Sequence, residues 1–167
     1  MNSLTWTSGI WLAVWLLLCF AVAGVSGGFT AREVRGWYRT LHRPAFAPPN
    51  WVFGPVWTLL YTMMAVAAWL VWTSPTATAS GSGKSLAIAL FLIQLALNFA
   101  WSWLFFAQHR IGWALVEIVA LWVAILATVL AFRGISPMAA ALLLPYLAWV
   151  TFATALNAGY WQSNRYS

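Results

Sequence analysis

The stretch GWALVEIVALWVAILATVLAF, residues 112–132, carries one ionisable side chain, Glu117, in an otherwise apolar run. It exceeds the ~18 residues that a helix needs to cross the hydrocarbon core of a bilayer. Its Leu and Ala lack the strict alternation of a barrel strand, so the run predicts a transmembrane helix. The rest of the chain has the same character. Of 167 residues, 63% are hydrophobic and 6% charged, which is too apolar for a water-soluble domain.

Working outward, the apolar runs predict five spans, at about 9–28, 51–72, 84–107, 110–132 and 137–160. The expected fold is an all-α integral membrane protein, a single domain (1–167) built as a bundle of five transmembrane helices. The first span reads as retained rather than as a cleaved signal peptide, because no Lys or Arg precedes it and the basic cluster follows it. TSPTATASGSGK (73–84) reads as a flexible linker. Short turns after the third and fourth spans make those helices antiparallel neighbours. Residues 29–50 form the one long loop. There Arg32, Arg35, Arg39 and Arg43 recur at helical spacing among Trp37, Tyr38 and Leu41, the pattern of a basic amphipathic lid on the membrane surface.

Five spans put the termini on opposite sides. The four loop arginines, Arg110 and Arg165 share one side, against Lys84 and Arg133 on the other. The N-terminus is therefore expected outside, and the first loop and C-terminus in the cytoplasm. The net charge of +6 follows from this topology and from anionic head groups, and gives no reason to expect nucleic acid as a partner.

What is missing narrows the chemistry. There is no Asp, and Glu33 and Glu117 are the only carboxylate side chains. Paired-carboxylate hydrolysis, carboxylate-rich metal sites and a Ser–His–Asp set are excluded. Cys19 is single, so it forms no intramolecular disulfide. His42 and His109 lie near loops without metal-ligand spacing and read as interfacial polar residues. No metal site and no conventional catalytic residue is expected.

The chain has 14 tryptophans. Trp6, Trp51, Trp69, Trp72, Trp113 and Trp161 fall near span ends, where indoles anchor at the interface. Trp57, Trp101, Trp122 and Trp149 are deeper, where each indole N–H needs a partner. Phe53, Trp57 and Tyr61 share one helical face. So do Gln94, Asn98, Trp101 and Phe105 on the third span, and Tyr146, Trp149, Ala153 and Asn157 on the fifth. Lipid-facing surfaces have no use for amides, so these faces point inward. They converge at one depth beneath the long loop, with Ala153 leaving room between larger residues. Such a set either holds helices together or lines a pocket; its common depth favours a pocket, apolar with a few polar groups. Glu117 lies at similar depth, as a protonated acid bonded to a neighbouring helix, an ion pair with a snorkelling Arg, or a coupling group for protons or ligand. Pro145 interrupts the fifth span, and Pro55 either starts or kinks the second.

WYRTLHRPAFAPPNWVFGPVWTLLY (37–61), QLALNFAWSWLFF (94–106), GWALVE (112–117) and PYLAWVTFATALN (145–157) together resemble the TspO/MBR family of tryptophan-rich sensory proteins, translocator proteins and peripheral-type benzodiazepine receptors. The resemblance implies a five-helix bundle, commonly a homodimer, that binds porphyrins such as protoporphyrin IX and haem as ligands rather than as obligatory cofactors. It also implies binding of cholesterol and of benzodiazepine-type compounds, in a pocket among all five helices under the first loop. By motif position Trp57, Asn98, Trp149 and Ala153 correspond to the family's ligand-site residues. Trp101, Tyr146, Gln94 and Phe46 join them as candidates by position and face.

One departure is PAFAPP (44–49), where family members often carry Trp and this chain has Ala45 and Phe46. LNAGYWQSNR (156–165) fits a proposed cholesterol pattern, and GVSGG (24–28) has the G-x-x-x-G spacing of close helix packing or dimerisation. Three functions follow, in order. The first is a membrane receptor for porphyrins or sterol-like ligands with a sensing role in tetrapyrrole handling. The second is light- or oxidant-dependent porphyrin degradation by Trp57 and Trp149. The third is a transporter of porphyrins or small metabolites, with Glu117 coupling protons.

Overall fold

The computed structural model describes residues 3–75 and 81–165, with side chains from Thr7 and from Gly83 onward in the two segments. The Trp6 ring and linker residues 76–80 lie outside the described residues. Five long helices appear: α1 (Ser3–Glu33), α2 (Phe53–Thr73), α3 (Gly81–Ser102, continued by a π-helical turn over Trp103–Ala107), α4 (Ile111–Arg133) and α5 (Pro137–Asn164). Each is long and apolar enough to cross a membrane, and no strand occurs among the described residues. The chain is a multi-pass integral membrane protein.

Local chemistry sets the helix starts. Pro137 occupies the first turn of α5, where its missing N–H has no intrahelical partner to lose, and the Ser136 hydroxyl accepts from Ala139 N at 3.3 Å. Pro55 likewise sits in the first turn of α2, so it starts that helix. α5 continues through Pro145.

The helices close a ring in the order α1, α2, α5, α4, α3. The antiparallel pairs α3–α4 and α4–α5 pack most extensively, as their short connections require. Small side chains line the seams: Ala65, Ala67, Ala68, Ala87 and Ala139 are completely buried, which lets backbones approach where no hydrophobic effect drives association. Phe91 and Phe132 stack at 6.0 Å, and the Trp122 indole donates to Thr151 Oγ1 at 2.8 Å, pinning α4 to α5. Trp51 and Trp113 stand exposed near helix ends.

Two expectations for the loop need correction. α1 runs past 28 to Glu33, so Arg32 belongs to that helix. The basic lid is also not a continuous amphipathic helix. After α1 the chain forms one 3-10 turn (Trp37–Thr40), then runs without helix to a second short turn (Asn50–Val52). Gly36 breaks the helix (φ −111°, ψ −112°), and Pro44, Pro48 and Pro49 prevent its recovery.

The loop is fastened at both ends. On α5, the Asn164 amide accepts from His42 N (2.8 Å) and donates to His42 O (3.1 Å). Gly159 is required beneath the loop, since a Cβ there would lie 2.9 Å from Pro44 Cγ. On the other side Trp37 stacks on His109 (4.1 Å, 17°), whose Nε2 meets Glu33 Oε2 at 3.1 Å. His109 adopts a left-handed φ of 55° after the π-turn, and this backbone reversal carries the imidazole between α1 and the loop.

Candidate ligand cavity

A cavity of about 530 Å³ lies beneath this loop, within the range of small-molecule sites. Its walls come from α1, α2, α3 and α5. No residue of α4 lines it, which corrects the expectation of a pocket among all five helices. The buried face of α4, including Ala114, Ile118 and Leu121, is used up against its neighbours in the ring.

The aromatic face of α2 forms one wall through Phe53, Trp57 and Tyr61. Phe53 meets Trp149 edge-on at 5.8 Å, and Trp57 packs on Tyr61 at 5.5 Å and Tyr146 at 6.2 Å. Of the candidates, Trp57, Asn98, Trp101, Trp149 and Ala153 line the cavity together. The other four do not. Tyr146 is fully buried under the floor. Gln94, one turn further along α3, is buried with neither amide atom hydrogen-bonded among the described residues. Phe46 is half exposed, packing on Phe152 (6.5 Å). Glu117 belongs to α4, and its carboxyl oxygens are buried without a hydrogen-bond partner among the described residues. Neither the expected bond to a neighbouring helix nor an ion pair with Arg forms there, and Glu117 does not reach the cavity.

Most polar groups here are spent on the bundle. Tyr61 donates to Asn98 Oδ1 at 2.5 Å, and Asn98 Nδ2 donates to the Tyr146 phenol at 2.9 Å, tying α2, α3 and α5 at the floor. The Trp101 indole donates to Asn157 (3.0 Å), whose Nδ2 reaches Ile111 O (3.0 Å). At the top, Tyr160 donates to the Tyr38 phenol at 2.6 Å. The Trp149 indole N–H, by contrast, has no acceptor among the described residues. No lining residue is charged. The site therefore suits a largely apolar molecule held by ring packing and a few hydrogen bonds.

Burial, and the bond with Tyr160, push the Tyr38 phenol well above its ordinary value of 10.0. The unfolded chain loses this proton near pH 10 while the folded chain keeps it, so the folded state holds more protons there. The contribution of Tyr38 to stability is thus complete below that pH and is lost as pH rises toward the folded value. Tyrosinate absorbance at 295 nm is expected to show a delayed component coinciding with alkaline unfolding, and Tyr38→Phe is expected to shrink that component by the absorbance of one tyrosine. An unchanged titration in Tyr38→Phe would refute the assignment.

The α1 wall escaped the sequence reading. Ala23, Gly24, Ser26, Gly27 and Thr30 all line the cavity. The GVSGG spacing suggests packing or dimerisation; here Gly24 and Gly27 sit at the cavity's edge, and Gly28, the second glycine of the spacing, does not line it. Gly24 and Gly27 of α1 and Gly54 and Thr58 of α2 are both lining and exposed, so the cavity opens sideways between these helices. A Cβ on any of the three glycines would meet nothing within 4 Å. In the proposed cholesterol pattern, Leu156 and Tyr160 turn inward and line the cavity.

Residues 15–162 match the model of the TspO/MBR family. The human translocator protein is 41% identical over 140 residues, covering 84% of this chain and 82% of its own length. The tryptophan-rich protein TspO of Archaeoglobus fulgidus is 39% identical over 142 residues (85% and 89%), and protein CrtK of Rhodobacter capsulatus 32% over 152 residues (91% of each).

Proposed function

Because the chain belongs to the TspO/MBR family, we propose that the cavity is a receptor site for porphyrins such as protoporphyrin IX and haem, with sterol-like and benzodiazepine-type molecules as further ligands. Its occupancy serves a sensing role in tetrapyrrole handling, in a homodimer whose loop end faces the cytoplasm. The carrying observation is the uncharged aromatic cavity with the unpaired Trp149 N–H on its wall.

The test is intrinsic tryptophan quenching by protoporphyrin IX in the dark, corrected for inner-filter effects. Saturable micromolar quenching is expected, weakened roughly three- to tenfold in Trp149→Leu by loss of ring contact and a donor. Linear quenching, identical in both proteins, would mean pigment dissolved in detergent and would end this reading. A second reading, porphyrin degradation, draws on Trp57 and Trp149 both lining the cavity as oxidisable rings. Loss of porphyrin absorbance under light that is unchanged in Trp57→Phe/Trp149→Phe would remove it. Proton-coupled transport through Glu117 draws no support from a carboxyl set outside the cavity.

A further inference from the structure

The loop over the cavity is held on two sides by different chemistry. On the α5 side, the His42 main chain bonds the Asn164 amide, Pro44 rests on Gly159, and Tyr160 bonds Tyr38. The His42 imidazole takes no part in those bonds. On the other side three elements meet at one imidazole. His109, in the turn between α3 and α4, has its Nε2 3.1 Å from Glu33 Oε2 at the end of α1, and Trp37 of the loop stacks on its ring (4.1 Å, 17°). The His109 side chain is 41% exposed, so protons reach it from water. Histidine is the one side chain whose ordinary range puts a change of charge between pH 5 and 8. The other charged groups on these elements are Arg32, Arg35, Arg39 and Arg110. They form no ion pair among the described residues and keep their charge throughout that range.

Both partners of His109 belong to walls of the cavity. α1 lines it and edges its sideways opening, while Val34 and Tyr38, flanking Trp37 in the chain, line its loop end. At its far end α1 is tied to α2, by Trp69 donating to Ser8 O at 2.9 Å and by Trp11 against Trp72 (4.8 Å). At the loop end its ties pass instead to α3 and the turn after it, through Phe29 on Phe99 (6.2 Å) and Glu33 on His109.

We propose that Glu33, Trp37 and His109 form a pH-sensitive clasp that holds the loop and the end of α1 over the cavity. A protonated imidazole adds charge to both contacts, as an ion pair with Glu33 and as a cation over the Trp37 indole. A neutral imidazole keeps at most a hydrogen bond and ring stacking. The clasp is therefore tight in acid and loosens as pH rises through the histidine range, and ligand exchange quickens in the same sense. The clasp stands whatever the cavity binds; its effect on porphyrin release rests on the porphyrin reading.

A spin label at Arg39→Cys, in a Cys19→Ala background and in nanodiscs of zwitterionic lipid, reads the loop directly. With His109 in place, label mobility is expected to rise between about pH 5.5 and 8. His109→Asn supplies a side chain that tolerates the left-handed backbone and does not titrate, so its mobility should be high and independent of pH. Glu33→Gln, which retains the stacking, should shrink the change without abolishing it. Release of protoporphyrin IX dimethyl ester, which has no carboxyl to titrate, is expected to be roughly three- to tenfold slower at the acid end with His109 present, and equal at both ends in His109→Asn. Mobility that ignores pH with His109 in place, or follows pH in His109→Asn, would overturn the clasp. Ester release that ignores pH while the label responds would overturn its coupling to exchange. An ester that never binds saturably, with the label behaving as expected, would overturn the porphyrin reading and leave the clasp standing.

Discussion

Replacing Ala153 by phenylalanine is expected to abolish saturable quenching by protoporphyrin IX, with affinity falling by more than about a hundredfold. Ala153 lines the cavity between the Trp149 and Asn157 turns of α5, and it is the small residue on a face otherwise built of rings and amides. A benzyl group there enters the space a ligand would fill. Because that space is already open, little of the packed core must move, and thermal stability should change far less than a buried overpacking change would make it. Dark titration together with a thermal melt reads both quantities. Undiminished quenching in a folded Ala153→Phe protein would show that porphyrin binds elsewhere.

Asn98→Leu is expected to produce the largest loss of stability. Its amide bonds both Tyr61 and Tyr146, so leucine would strand two phenols in a dry interior. Each stranded group costs about 1–3 kcal/mol in principle, although interhelical bonds in membranes average less, so a loss of about 2 kcal/mol is expected. The informative partner is Tyr61→Phe/Asn98→Leu/Tyr146→Phe, which removes the whole chain of polar groups. If hydrogen bonding is the cause, this variant should regain most of the stability, because an apolar replacement of both partners is nearly neutral. Denaturant titration in mixed micelles compares the three proteins. Equal loss in the single and triple variants would point to shape at Asn98 instead.

The bundle and much of the cavity were legible because hydrocarbon punishes polar groups so heavily. Asn98, Trp101 and Trp149 announce their direction by being the wrong residues for lipid, helical periodicity puts Ala153 on the Trp149 face, and the rise per residue gives their depth. Periodicity says nothing of how neighbouring helices rotate about one another. Glu117, Gln94 and Tyr146 therefore had the right depth and missed the cavity, lying behind it or beneath its floor. The α1 wall was silent for the opposite reason: glycine, alanine and serine suit a packed seam and a cavity edge equally. In the loop, arginine spacing was persuasive, but Gly36 and the prolines decide the backbone there.

The slot between α1 and α2 changes what an affinity means for this protein. A site that opens sideways equilibrates with molecules dissolved among acyl chains, so its relevant concentration is a mole fraction in lipid rather than a molarity in water. For a hydrophobic macrocycle, partitioning alone concentrates it in the bilayer. A tight aqueous constant can then describe modest discrimination between protein and membrane, and the same protein will report different constants as lipid volume changes. Selectivity among molecules that partition equally must come from the wall itself: its indoles, its small residues and its few unspent donors.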